Sequence, residues 1–533
     1  MVFTLHRYIF RDAFKVFVLT ALALTLMMSL GSILRPVQEY GIGPRQVVHL
    51  MGYFLPITLT FVLPIAALFA TALVYGRLAS DNELDACRAS GISLLTLVYP
   101  GLALAIMVAT ANLVLSFHVI PVFVHRAEES FKTDAKQILF RNIQRSGYYK
   151  PSSDNRYLIY ADRADLQNDM LSGVVITEVK GHEIKKITTA ESAKVHFIPH
   201  KGFNEVQITA YKSCQMTPEG NAVSFEWLPL TMEFGSMLGD DIKFKKIGEM
   251  KKIRLDPILF YPVEKLARHT CAQFTAELLA QDIATRIANE ASGFYELYSG
   301  RKFVEFTASR CNARSENEVQ LTGEVVVIES DLDSGLRLRT LRSKRALLHI
   351  EAEQSEPTIT MDIYSPQWQC VDGSEGFSRR QIIRGLIIPE VVQIEFKTED
   401  VLGAISPASI ASALQKGPSA KLKALQNKLH RKIQETLVEI KAEIHSRLVF
   451  GIGCVPMILI GISLGIILKD GHLLSAFGAS SVPAGLLLVC ILMGKNIAKN
   501  PGAQAGSGII LMWAGLAFLS LLAVLIYHRL LKN

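Results

Sequence analysis

Six stretches without Asp, Glu, Lys or Arg dominate the two ends of the chain. They lie between Lys15 and Arg35, Arg45 and Arg77, Arg88 and Arg126, Arg447 and Lys469, Asp470 and Lys495, and Lys499 and Arg529. They hold 19, 31, 37, 21, 24 and 29 residues. A bilayer core of about 30 Å takes about 20 helical residues, so each stretch suffices for one crossing. In lipid an unpaired backbone amide finds no water, which leaves the helix as the conformation for such segments. The pattern predicts three spans, a long central region and three more spans. The second and third stretches exceed one bilayer; their helices are expected to tilt, to kink at Pro56 and Pro64, or to run past the lipid near Pro121. The first apolar run, Val16 to Leu34, is longer than the ~7–15 residues of a signal peptide core, although Ser29 and Gly31 suit a cleavage site.

In the central region the period falls to two. Tyr157–Tyr160, Val174–Val179, Ala193–Phe197 and Val206–Tyr211 alternate between apolar and polar residues and are separated by Gly, Asn and Asp turns, an antiparallel sandwich-like or jellyroll-like signature. A helical stretch from Pro262 to Ala291 leads into a second alternating block, which echoes the first. Leu171–Glu178 matches Leu321–Ile328, Thr189–Phe197 matches Leu341–Ile350, and Val206–Tyr211 matches Ile359–Tyr364, in the same order, as an internal duplication would leave them. Apolar faces of this kind fit both a filled core and an open trough. Further on, Leu422, Leu425, Leu429, Ile433, Leu437, Ile440, Ile444 and Leu448 recur at helical spacing and run directly into the fourth apolar stretch.

The resulting plan is a polytopic α-helical membrane protein (3+3 transmembrane helices) with an inserted, duplicated β-jellyroll-like region. Spans one to three occupy 1–125, a β-jellyroll-like domain 126–250, a helical connector 251–301, a second β-rich block 302–400, a linker and long helix 401–446, and spans four to six 447–533. Six spans put both termini on one side. That side carries Arg7, Arg11, Lys15, Arg77, Arg88, Lys469, Arg529 and Lys532; the opposite short connections carry Arg35, Arg45, Lys495 and Lys499. Basic residues stay inside, so the termini are expected in the cytoplasm and residues from about 126 to 446 outside it.

The net charge of +7 is dispersed, which does not support nucleic-acid binding. Of seven cysteines, Cys214, Cys271, Cys311 and Cys370 fall in the outer region, with no zinc-type spacing, and free thiols are expected. No P-loop, His-Glu-x-x-His or Gly-x-Ser-x-Gly pattern occurs, so neither nucleotide hydrolysis nor another enzymatic activity is expected of this chain, and no cofactor or metal. The apolar stretches hold no carboxylate for a proton relay.

The connection between spans two and three stands apart. Ser80 and Glu83 have capping-box spacing, and Gly91 is placed as a C′ stop, which predicts a short helix over about 80–91. Leu84, Cys87, Arg88 and Gly91 would share a face, with Asp81, Glu83 and Asp85 near the positive N-terminus. Such a charged rod suits a motor protein that pushes on it; an inert interfacial connector has the same composition.

Glu83–Ser93 is similar to the cytoplasmic coupling-helix signature of the LptF/LptG (YjgP/YjgQ) permease family. Leu5–Arg11 resembles that family's N-terminus, Tyr157–Asp165 its first periplasmic strand, and Glu443–Leu448 the lead-in to its fourth span. The resemblance implies a permease of the lipopolysaccharide export ABC transporter. It would pair with a second LptF/LptG-like permease, or with itself, around a cavity open sideways between spans one and five. A cytoplasmic LptB-like ABC ATPase would dock on the coupling helices and drive lipopolysaccharide into periplasmic jellyrolls, among them LptC/LptA-like proteins. By position, Asp81, Glu83, Leu84, Cys87, Arg88, Gly91 and Ile92 would form the ATPase-coupling segment. Glu83 and Arg88 would sit in the ATPase groove, with Leu84 and Ile92 packed beside them. Arg35 and Arg45, at the outer ends of spans one and two, would meet lipid phosphates, for which guanidinium geometry is suited. The size of the central region departs from the family, and the second block reads as an added jellyroll extending the lipid track. Two rivals remain: a membrane-anchored envelope scaffold, and an ABC permease for another lipid or lipoprotein.

Overall fold

The computed structural model describes residues 2–40, 44–150, 157–180, 183–199, 203–216, 222–235, 241–289, 293–300, 302–315, 317–331, 336–351, 358–370, 372–389, 401–415, 417–468, 473–499 and 505–532. The chain divides into two compact units, Met1–Leu255 with Glu435–Asn533, and Asp256–Gln434.

The first unit opens with α1 (Val2–Tyr40), α2 (Pro44–Ser80), the short α3 (Glu83–Ala89) and α4 (Leu94–Val114). A π-helical turn, Leu115–Val119, then passes into α5 (Ile120–Ser146). Among the described residues six helices are long and apolar enough to cross a membrane: Phe3–Gly31, Leu55–Ser80, Leu94–Ala127, Ala420–Ile467, Gly478–Ala498 and Gly506–Lys532. They coincide with the six charge-poor stretches. Helix α2 continues through Pro56 and Pro64. Near Pro121 the expected irregularity takes the form of the π turn. Pro121 has no N–H to give, and the N–H of Ile120 goes to the carbonyl of Leu115. The carbonyl of Ser116 is thereby left without a helical donor.

Beyond α5, strands β1 (Tyr148–Tyr149), β2 (Tyr157–Asp165), β3 (Met170–Lys180), β4 (Glu183–Pro199), β5 (Phe203–Met216) and β6 (Ala222–Gly235) form one antiparallel sheet in sequential order. Its apolar face holds Ile159, Leu171, Ile176, Val195 and Ile208 and is covered by Leu139, Phe140 and Ile143 at the end of α5. The alternation expected along each strand is interrupted on one row. Pairing skips Asp162, Gly173, Glu191 and Lys212. Gly173 and Lys212 are left-handed, at φ 63° and 47°. Across that row the inward positions change parity, from buried Ile159 and Ala161 to half-buried Ala164 on β2, and from Leu171 to Val174 and Ile176 on β3. A one-residue irregularity shared by neighbouring strands turns the next residues back onto the same face. A 3₁₀ turn (Ile242–Phe244) and α6 (Ile247–Leu255) follow the sheet.

The second unit begins with α7 (Tyr261–Asn289) and continues through β7 (Tyr295–Ser299), β8 (Lys302–Thr307), β9 (Arg310–Ser315), β10 (Glu318–Asp331), β11 (Arg337–Glu351), β12 (Thr358–Tyr364), β13 (Gln367–Cys370), β14 (Glu375–Phe377) and β15 (Arg380–Ile387). These nine strands form one antiparallel sheet. Its apolar face is filled: Ala276, Leu279, Ala280 and Ile283 of α7 pack on Tyr295, Phe306, Val327, Leu348 and Met361. Asp282 fixes the helix, accepting from the Tyr295 hydroxyl at 2.6 Å and pairing with Arg286 at 3.2 Å. Two short helices, α8 (Val401–Ala404) and α9 (Pro407–Ala413), lead to α10 (Ala420–Ile467), a single 48-residue helix in which the leucine stripe joins the fourth span without a break. Helices α11 (Leu473–Ala498) and α12 (Ala505–Lys532) complete the chain.

The duplication read from the sequence is visible in register. Ala193 pairs with Ala210, Val195 with Ile208 and Phe197 with Val206; at the matching positions Ala346 pairs with Ile363, Leu348 with Met361 and Ile350 with Ile359. The left-handed residues match as well. Gly323 (φ 97°) stands for Gly173, and Ser365 (φ 49°) for Lys212, each following a tyrosine.

Candidate functional site

Two sites lie at opposite ends of the membrane bundle. The first is the connection between α2 and α4. Its helix spans Glu83–Ala89 rather than beginning at Ser80. The expected capping box does not form, because Ser80 is still the last residue of α2 and its hydroxyl donates back to the Arg77 carbonyl at 3.0 Å. The chain reverses instead through Asn82, which is left-handed at φ 58° and caps α3 without a side-chain hydrogen bond. The predicted stop at Gly91 is present. Its N–H reaches the Arg88 carbonyl at 2.9 Å, and that of Ile92 reaches the Cys87 carbonyl at 3.1 Å, with Gly91 at φ 83°. This is the paired 5→2 and 6→1 closure that a left-handed C′ residue permits.

Side chains divide along α3. Leu84, only 4% exposed, is buried in the bundle core, and Cys87 and Ile92 pack against the same core. Leu84 therefore anchors the segment inward and does not share the outer surface with Arg88. Asp81, Glu83, Asp85 and Arg88 are exposed, and Gly91 shapes only the exit. Arg88 lies 4.0 Å from Asp85.

The surroundings hold this segment from three sides. Arg77 pairs with Asp12 of α1 at 2.6 Å, and His6 contacts the Thr96 carbonyl at 2.9 Å. Ser93 caps α4 through the Thr96 N–H at 3.3 Å. Deeper in, the Tyr75 hydroxyl donates to the Leu97 carbonyl at 2.9 Å and accepts from the Gly101 N–H at 3.1 Å, which joins α2 to α4. The contacts with Asp12 and His6 put the α3 connection on the same end of the bundle as the N-terminus. One further span separates that end from the first sheet.

The second site was not singled out from sequence. Arg447 in α10 has a 4% exposed side chain. Its Nε donates to Glu443 at 3.0 Å, its Nη1 to the Ser116 carbonyl at 3.0 Å, and its Nη2 to the Lys243 carbonyl at 2.7 Å. The guanidinium stacks 5.6 Å from the Phe117 ring. The orphan carbonyl of the π turn thus finds its donor in Arg447, which also grips the 3₁₀ turn after β6. Glu443 accepts from Lys495 of α11 at 2.5 Å, and one turn away Glu439 pairs with Lys499 at 2.9 Å. A buried guanidinium with every face engaged ties spans three, four and five to the chain leaving the first sheet. Its signal in the sequence is the i,i+4 pair Glu443–Arg447 at the edge of an apolar stretch, answered by Lys495 and Lys499 at the end of another.

Arg35 lies in α1 and Arg45 in the first turn of α2, but their side chains are outside the described residues. No cluster of His, Cys, Asp or Glu able to hold a metal occurs among the described residues. All seven cysteines are free, and burial pushes the Cys271 and Cys311 thiols up to about 12.

The family model described as "Lipopolysaccharide export system permease LptF/LptG" matches residues 7–225 and 312–529. No curated protein matches the chain. Both sites fall within the matched residues, apart from His6 and the Lys243 carbonyl. The stretch left unmatched, 226–311, is not the second β block expected from the sequence to be the addition. It carries α6, α7, β7 and β8, while β10 to β15 lie inside the match.

Proposed function

This chain belongs to the LptF/LptG family of lipopolysaccharide export permeases, and on that footing we propose that it is the force-receiving subunit of an ABC-type exporter whose ATPase is a separate cytoplasmic chain. The family is one of permeases, so the chain is a multi-pass membrane component of a transport complex. The finer reading rests on α3. A short helix with Glu83, Asp85 and Arg88 outward, Leu84 locked inward, and rigid ties to α1, α2 and α4 is built to receive a push without deforming. The same end of the bundle carries the excess of basic residues, which supports its cytoplasmic side.

An LptB-like ATPase closing on ATP would move α3 and, through α2 and α4, the bundle. At the far end the Arg447 junction links span three, span four, span five and the exit from the first sheet, so a displacement of span five would reach the sheet through Glu443 and Lys495. Lipopolysaccharide would enter between spans one and five of this chain and a second permease, with Arg35 and Arg45 near its phosphates. It would leave toward periplasmic LptC/LptA-like jellyrolls. Exposed methylenes at about 0.8 kcal/mol each make an unshielded passage through water unfavourable. We do not assign the second sheet as an open extension of that path, since α7 occupies its apolar face.

The test is co-purification from membranes. Charge reversal by Glu83→Lys or Arg88→Glu is expected to release the ATPase while the permease stays folded, because both side chains are exposed. Undiminished association would remove the coupling role and favour a scaffold. Mass spectrometry of retained lipid then tells lipopolysaccharide from another cargo.

A further inference from the structure

We propose that α6 and the turn before it form a membrane-surface anchor that binds anionic phospholipid headgroups on the side of the bilayer from which the first sheet emerges. The segment falls outside the family match, so the family's shared machinery does not account for it.

Three observations carry the proposal. The first is charge. From Asp241 to Leu255 the chain places Lys243, Lys245, Lys246, Lys251, Lys252 and Arg254 against two carboxylates. Both carboxylates are engaged: Asp241 pairs with Lys243 at 2.8 Å, and Glu249 with His125 at 2.9 Å and with the Lys246 N–H at 3.0 Å. Burial would raise both acids, but these partners hold them below their ordinary range, so they remain charged and spoken for. A net surplus of cations faces outward.

The second is the shape of the helix. Met250 and Ile253 are buried on one face. The opposite face shows Lys251, Lys252 and, between them, Leu255, which is 87% exposed. A leucine held in the open and flanked by lysines gains nothing from water. At a bilayer surface it enters the acyl boundary while the long basic side chains reach the phosphates.

The third is depth. Glu249 holds His125, next to Arg126, where the third charge-poor stretch ends. The Lys243 carbonyl holds Arg447, where the fourth stretch begins. Asp241 feels Lys499, one residue past the fifth apolar helix. Two contacts, with the field of Lys499 on Asp241 beside them, put the segment at the polar edge of the membrane, where phosphates lie. The complementary charge there belongs to the bilayer's own anionic lipids, and they are the occupant we assign.

The experiment uses the full chain in nanodiscs of phosphatidylcholine, alone or mixed with phosphatidylglycerol. Leu255→Trp fluorescence, corrected for the three natural tryptophans with the unsubstituted chain, reports quenching by brominated lipid. Stronger quenching by brominated phosphatidylglycerol than by brominated phosphatidylcholine is expected. Native mass spectrometry should show retained phosphatidylglycerol falling about tenfold or more in the Lys251→Ala, Lys252→Ala, Arg254→Ala variant, since each basic residue near an anionic surface contributes measurably. That variant leaves Met250, Ile253 and the His125–Glu249 pair in place, so loss of fold is not expected; the Glu249–His125 seat can be checked by the hydrogen exchange of α6. No quenching by either lipid would overturn the proposal. Equal quenching by both, insensitive to the alanine variant, would reduce α6 to an apolar contact and overturn the headgroup assignment. Retention of lipopolysaccharide in place of phosphatidylglycerol would assign the cations to cargo and overturn it equally. None of these readouts uses ATP hydrolysis or export, so the result stands apart from the fate of the coupling reading.

Discussion

Gly173 sits where β3 must turn its next residues back onto the apolar face, and it does so at φ 63° with the Asp162 side chain against its α-carbon. A methyl group there would collide with that carboxylate and force an L-residue into a conformation costing about 1–2 kcal/mol. Gly173→Ala is therefore expected to lower hydrogen-exchange protection across β2, β3 and β4 by at least tenfold in the full chain. In the second sheet Gly323 holds the position matching Gly173, and Ser365, the counterpart of Lys212 on the same left-handed row, is a non-glycine residue with its side chain exposed. Ser365→Gly relieves the same backbone cost, so protection of β12 and its neighbours should rise. Opposite signs at two related sites separate backbone conformation from simple loss of side-chain contacts. Unchanged protection in both variants would mean that the left-handed row carries no strain.

The short helix α3 shows how far local chemistry reaches. Its end was legible because a left-handed glycine at C′ lets its own N–H and that of the next residue satisfy two carbonyls, whatever surrounds it. Its start was not, because Ser80 had a competing use as the last residue of α2, and Asn82 could take the left-handed turn. The same contrast appears in the spans: six charge-poor stretches announce six helices, but the π turn before Pro121 becomes meaningful only with Arg447 at hand to fill the Ser116 carbonyl. That partner lies more than three hundred residues away and no local pattern discloses it. Close helix packing was equally hidden, as where a Cβ on Gly465 of α10 would lie 2.6 Å from the Ala72 carbonyl of α2. The Arg447 junction yields a prediction of its own. Arg447→Met takes one of two cations from buried Glu443, leaving Lys495 alone against it, and orphans the Ser116 and Lys243 carbonyls, a loss of about 3–5 kcal/mol. The melting temperature in detergent should fall accordingly. Replacing Glu443, Arg447 and Lys495 together by Leu, Leu and Met leaves no lone buried charge and should melt above the single variant. If the triple variant melts lower, the charges contribute more than mutual compensation.

At the scale of the whole molecule, the match with the family and the internal duplication point to the same place. Strands β3 to β5 and β10 to β12 repeat one three-strand unit, and both copies fall within matched residues. The stretch that the family model leaves unmatched lies between the copies, and its largest piece, α7, packs on the apolar face of the second sheet. An alternating strand pattern shows that one face will be apolar but not what will cover it, so the filled state of that face could not be read from sequence. Exposing Leu279 and Ile283 alone would cost about 1.5–3 kcal/mol each, and the hydrogen bond from the Tyr295 hydroxyl to Asp282 would break as well. A path for acyl chains across this face would have to meet that cost at every passage. A photoreactive residue at Leu348, in the buried core that α7 shares with this sheet, is accordingly expected to give no lipopolysaccharide adduct during ATP-driven export, while remaining cross-linkable within that core. An adduct that grows with ATP turnover would show that α7 leaves its seat during transport, and the second sheet would then have to be counted among the surfaces that carry the lipid.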